Sequence, residues 1–142
     1  MNKITKTMLV LLMLGVAIAA GCGDKDAEPT LVGSWRLEGY QVLEGVFETP
    51  VCYMDSNYTV TFRANGTIFG FASSNQSYGT FFLSADGAIE IKFQTMTEAG
   101  ECDEGKFIDA INNTNSYAFQ KGNLMLYYNL GQNFMRFKPW RQ

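Results

Sequence analysis

Cysteine chemistry in this 142-residue chain is confined to Cys22, Cys52 and Cys102, and histidine is absent. Without histidine there is no Ser-His-Asp triad, no Cys-His pair, no HExxH zinc helix and no His-ligated haem. A zinc site needs about four ligands, so the cysteines alone do not make one. Carboxylates crowd one stretch: Glu98, Glu101, Asp103, Glu104 and Asp109. Hard cations such as calcium take such oxygens, but the spacing matches no EF-hand loop. A solvated acidic face that favours a helix start accounts for the cluster instead. No Gly-rich phosphate loop or Ser-x-x-Lys occurs. The expectation is no catalytic residue, no metal and no cofactor.

Cys22 is set apart by what precedes it. Met1 to Thr7 carry Lys3 and Lys6, and Met8 to Ala20 are apolar or small. That run is shorter than the roughly 20 residues of a spanning helix, and it has the layout of a secretory signal peptide over residues 1–21. Ala19-Ala20-Gly21-Cys22 resembles the bacterial lipobox, with Ala19 where leucine is usual. The resemblance implies cleavage before Cys22, a thioether-linked diacylglycerol on its sulfur and acylation of the new amino terminus. Several acyl chains anchor stably where one binds only marginally. Residues 22–30 form a polar, acidic tether ending at Pro29-Thr30. Gly23 lacks the aspartate that resembles an inner-membrane retention signal, so the outer membrane is the expected location. Asp24, Asp26 and Glu28 look like a surface-export tag or simply a soluble linker. Removal of residues 1–21 takes away Lys3 and Lys6 and leaves nine basic against 14 acidic groups, a net charge of −5. A nucleic-acid partner is not expected.

In an exported chain the remaining pair, Cys52 and Cys102, suggests one disulfide, with two buried free thiols as the other possibility. The elements that would carry them have period two. Trp35 and Leu37, Val60 and Phe62, Ile89, Ile91 and Phe93, Tyr117 and Phe119, Leu124, Leu126 and Tyr128, and Met135 and Phe137 each alternate with wetter neighbours. Asn65-Gly66, Asp86-Gly87 and Gly122-Asn123 are hairpin signals between these runs. At Asn65-Gly66 a type I turn with a glycine bulge is favoured, pairing Phe62 with Ile68 and turning Ile68 and Gly70 inward. Asp103 to Asn112 breaks the alternation as a short helix with Phe107, Ile108 and Ile111 on one side, Asp103, Glu104 and Asp109 elsewhere, and Asn112-Asn113 as its stop. The fold class expected is α+β, mostly β: a curled antiparallel sheet or small barrel of about eight strands with one packed short helix, over residues 31–142. Phe81 and Phe82 must face opposite sides of any strand that holds them.

The order of these features resembles the META domain, the HslJ-like family of secreted and lipoprotein domains. The carrying residues are Leu31-Val32-Gly33-Ser34-Trp35-Arg36-Leu37, Thr61-Phe62, Asn65-Gly66, Gly70-Phe71-Ala72, Asn75 and Tyr78-Gly79. Thr95-Met96-Thr97, Cys102, Phe107-Ile108, Tyr117 and Gly122-Asn123-Leu124-Met125-Leu126 complete the series. The resemblance implies a β-rich fold with one packed helix and no established enzymatic activity. Ser74 stands where a family cysteine sits, while Cys102 matches the later one, so the family's usual pair lacks a partner here. Gly33-Ser34-Trp35 also resembles the opening strand of lipocalins.

Two functions compete. The first is a non-catalytic envelope lipoprotein, held to the membrane through lipidated Cys22 and binding an envelope or surface protein partner. The second is a lipocalin-like carrier of a small apolar ligand. A core filled by the alternating residues favours the first and moves recognition to loops, chiefly Gln41 to Asn57 and Ser73 to Tyr78. On that view trimming Ser73 to Ser77 costs little stability. Tyr40, Tyr53, Tyr58, Tyr78, Tyr127 and Tyr128 either line a binding surface or fill the core and cover the sheet.

Overall fold

A computed structural model describes residues 30–42, 45–96, 100 and 102–141. The lipobox cysteine Cys22, the signal segment, nearly all of the tether, Glu98 and Glu101 lie outside the described residues. Eight strands run in chain order: β1 (Gly33–Gln41), β2 (Thr59–Phe62), β3 (Thr67–Ala72), β4 (Asn75–Leu83), β5 (Ile89–Thr95), β6 (Thr114–Gln120), β7 (Asn123–Tyr128) and β8 (Asn133–Pro139). One helix, α1 (Glu104–Asn112), lies between β5 and β6. The strands form one curled antiparallel sheet in the order β5-β4-β3-β2-β1-β8-β7-β6, so the first strand is central and joins two meanders.

Alternation drives the curl. Trp35, Leu37, Val60, Phe62, Ile89, Ile91, Phe93, Leu124, Leu126 and Phe137 all turn into one core. Tyr117 and Phe119 pack against it half-buried, because β6 is an edge strand. Phe81 joins the core while Phe82 faces solvent. Phe107 of α1 is fully buried, with its ring 5.5 Å from Tyr58, 6.4 Å from Phe93 and 6.3 Å from Phe137. The helix thus plugs the open side between β5 and β6. Its last residue also seals an edge: the Asn112 side chain accepts from Phe93 N–H at 2.7 Å and donates to Phe93 C=O at 2.8 Å. Further along, Ala88 bridges Ser116.

The first hairpin takes the bulged register. Phe62 pairs with Ile68, and Gly66 sits at φ +82°, the left-handed position that type I turns with a glycine bulge need. The β6–β7 hairpin is shifted by one residue from its sequence signal. Gln120 pairs with Asn123, so Lys121 (φ +51°) and Gly122 (φ +81°) form the turn and Asn123 opens β7. Two positive φ values define a type I′ turn, and lysine tolerates one of them here.

A larger correction concerns Ser73 to Tyr78. Only Ser73 and Ser74 form a turn, because Ala72 pairs with Asn75 and β4 runs on from there. Ser73 and Ser77 are buried. This segment is structural, and removing it would break a strand rather than trim a loop. Its polar residues hid a strand whose outward face is wet.

Candidate functional site

Strand polarity divides the molecule into two ends. Thr30, the turns after β2, β4 and β6, and the chain beyond β8 lie at one end. The connection from β1 to β2, the β3–β4 turn, α1 and the β7–β8 turn lie at the other. The second end holds the irregular chain, and there the sequence-predicted cysteines meet.

Cys52 and Cys102 form a disulfide with Cα atoms 5.9 Å apart, tying the β1–β2 connection to the start of α1. Sequence separation of 50 residues was no obstacle, because both flank Tyr58. The buried Tyr58 hydroxyl donates to Val51 C=O at 2.6 Å and accepts from Asp103 N–H at 3.2 Å. Asp103 Oδ2 in turn accepts from Val51 N–H at 2.8 Å. Glu104, expected on the solvated side, is buried at 4% exposure and accepts from Asn75 Nδ2 at 2.8 Å. The physical reason is the reach of the β3–β4 turn, which brings an amide to a first-turn carboxylate. Asp103 and Glu104 are therefore structural groups. Among the described residues, no group of three or more His, Cys, Asp and Glu side chains is placed to hold a metal ion.

A second cluster fixes the connection to the barrel wall. Tyr40 and Glu48 exchange backbone hydrogen bonds of 2.9 Å. Gly39 permits this approach, since a Cβ there would stand 2.4 Å from Glu48 O and 2.7 Å from the Phe47 ring. Lys106 Nζ lies 2.8 Å from Glu48 Oε2 and 4.3 Å from the Tyr40 ring centre. The hydrogen bond it donates, together with its charge, holds the Glu48 carboxyl below the usual range. On the outer wall, Arg36 stacks over Tyr53 at 4.1 Å and donates to Met54 C=O at 2.7 Å. A bulge at Glu38 lets that carboxylate accept from Arg136 Nε at 2.8 Å, while Arg136 stacks over Phe47 at 4.1 Å. Sequence reasoning missed these cation–aromatic straps, because each joins residues far apart in the chain.

The six tyrosines weighed as binding or core residues separate by position. Tyr40, Tyr58 and Tyr128 are buried, Tyr53 and Tyr127 are half-buried, and Tyr78 is exposed. Desolvation raises the hydroxyl pKa of Tyr40, Tyr53, Tyr58 and Tyr128 above its ordinary value. Apolar side chains are unevenly spread over the surface. Of the ten large hydrophobics most exposed among the described residues, Val42, Val46, Val51, Met54, Met96 and Leu130 belong to segments leaving strands at the disulfide end. Leu130 is 91% exposed and Val46 83%.

A curled antiparallel sheet plugged by one helix, with its irregular chain strapped at one end, defines a small, mostly β domain. The chain belongs to the META domain family, whose model matches residues 29–139. Solved structures share the fold. A DUF4847 family protein from Bacteroides vulgatus is 19% identical, with a TM-score of 0.60 over 78% of this chain and 94% of that one. A protein from Burkholderia xenovorans is 18% identical, with a TM-score of 0.62 over 78% and 83%. Among curated proteins none matches this chain.

Proposed function

We propose that this protein is a non-catalytic outer-membrane lipoprotein, anchored through Cys22, whose META domain binds a protein partner at its disulfide end. The polarity of the fold carries the reading. Residues 22–30 lead into the end opposite the exposed Val46 and Leu130, so a lipid on Cys22 leaves those residues directed away from the bilayer. A tether of that length spans at most about 30 Å, enough to clear the headgroups. Exposed apolar side chains concentrated at one end are what a protein-binding surface presents. The disulfide and the Arg36 and Arg136 stacks hold that surface in one shape, which lowers the ordering cost of association.

The carrier alternative requires an interior volume, and large side chains occupy it. Tyr40, Tyr58, Phe62, Phe107 and Phe137 are all fully buried in the barrel. A photoreactive residue at Val46 or Leu130 in cells should cross-link one protein, while the same residue at Lys121 or Asp86 should not. Adducts from the Lys121 end alone, or from neither end, contradict the reading.

A further inference from the structure

A second surface lies on the outer wall of β4 and β5, away from Val46 and Leu130. A solvent-open groove of about 790 Å³ is lined by Tyr78, Thr80, Glu90, Lys92 and Gln94, with Ile108 and Asn112 of α1 as its other wall. It continues into a cleft of about 160 Å³ that shares Thr80, Glu90 and Lys92 and ends at Phe82. Cross-strand register sets the pattern: Tyr78 stands opposite Gln94, Thr80 opposite Lys92 and Phe82 opposite Glu90. Tyr78 is 45% and Phe82 67% exposed. Four residues apart on one face, they stand about 14 Å from each other, the span of about three pyranose rings. Between them lie a hydroxyl, a carboxylate and an ammonium group. Gln94 Nε2 donates to the Tyr78 hydroxyl at 3.0 Å, which orients that ring.

The charges decide the ligand class. Among the described residues lining the two clefts Lys92 is the one cation, and Glu90 lies 3.4 Å from it, so these side chains offer no net charge to an anion or a cation. The polar groups between the rings disfavour a wholly apolar ligand, whose burial would strip their water without replacing its hydrogen bonds. An added peptide strand has little edge to use, because Asn112 takes both backbone groups of Phe93 and Ser116 bridges Ala88. We infer that this wall binds a neutral, extended glycan chain. Tyr78 and Phe82 stack on the C–H faces of two sugar rings, whose hydrogens meet the negative face of the aromatic system. Thr80, Glu90, Lys92 and Gln94 exchange hydrogen bonds with the intervening hydroxyls.

Calorimetric titration of the full chain in detergent tests this with four neutral hexasaccharides: α-1,4-glucose, β-1,4-glucose, β-1,4-mannose and β-1,4-N-acetylglucosamine. At least one should bind. Binding confined to the N-acetylglucosamine chain points to cell-wall glycan, and binding of a glucan or mannan to another polysaccharide. Tyr78→Ala and Phe82→Ala should each weaken it about tenfold or more, as loss of an aromatic anchor does. Tyr78→Phe, which keeps the ring, and Lys121→Ala, on the distant β6–β7 turn, should bind nearly as the parent. Unchanged melting temperatures would show that the variants fold. No binding of any of the four at millimolar concentration, or binding that survives both alanine variants, overturns the inference. So does displacement of the bound sugar by an extended peptide.

Discussion

Asn75 and Glu104 mark where side-chain roles depend on the third dimension. Glu104 has the sequence context of a solvated first-turn acid, yet its carboxylate is buried and takes a hydrogen bond from Asn75 across the molecule. No spacing rule connects residues 29 apart on different elements. Asn75→Ala should cost about 1–3 kcal/mol, since it leaves a buried acceptor without its donor. Urea unfolding checks this, and an unchanged midpoint would return Glu104 to the solvent-facing class. The core residues were far more legible, because alternation alone placed Phe62 and Ile91 inward. Phe62→Ala or Ile91→Ala should cost about 2–5 kcal/mol in the same measurement, and Phe107→Ala about 3–5. The polar run at Ser73 to Tyr78 was misleading for the converse reason. Buried Ser73 and Ser77 are small and hydrogen-bonding, so burial left no apolar signature there.

At the scale of elements, turn chemistry anticipated the Asn65-Gly66 register and the limits of α1 to within a residue. It missed that β4 begins as early as Asn75, in a polar run, and it missed the straps over β1 beside the bulge at Glu38. The disulfide joins the longest connection to the helix that plugs the barrel. Closing a loop of that size should stabilise by about 3–4 kcal/mol in the chain-entropy model. Melting with and without a reducing agent should therefore separate clearly. Identical transitions would mean that the Tyr58, Val51 and Asp103 hydrogen bonds hold the loop without the bridge. Buried tyrosines give the plugged end a pH dependence with a definite sign. Tyr40, Tyr53, Tyr58 and Tyr128 have folded pKa values raised by burial above the ordinary 10.0. Their contribution is complete below about pH 10 and is lost as pH rises through the folded values, because only the unfolded chain ionises readily. Thermal melts from neutral pH into the alkaline range should fall steeply above that point. A flat profile there would contradict the burial.

For the whole molecule, the polarity of the sheet is what gives the proposed anchoring its geometry. Alternation and turns specify eight strands, but only their pairing order reveals that residue 30 and the apolar loops occupy opposite ends. That arrangement has a purpose if the chain is fastened at Cys22 and works at a distance from its anchor. Cys22→Ala should move the protein from the membrane to the soluble fraction or leave it unprocessed, whereas substitutions at Leu130 should alter partner capture and not fractionation. The most direct measurement is the intact mass of the membrane-extracted protein, taken without reduction. The account predicts a chain that starts at Cys22, carries a diacylglyceryl group and an amide-linked acyl chain, and is two hydrogens lighter than the dithiol. An unacylated chain, or one starting at any other residue, would contradict it.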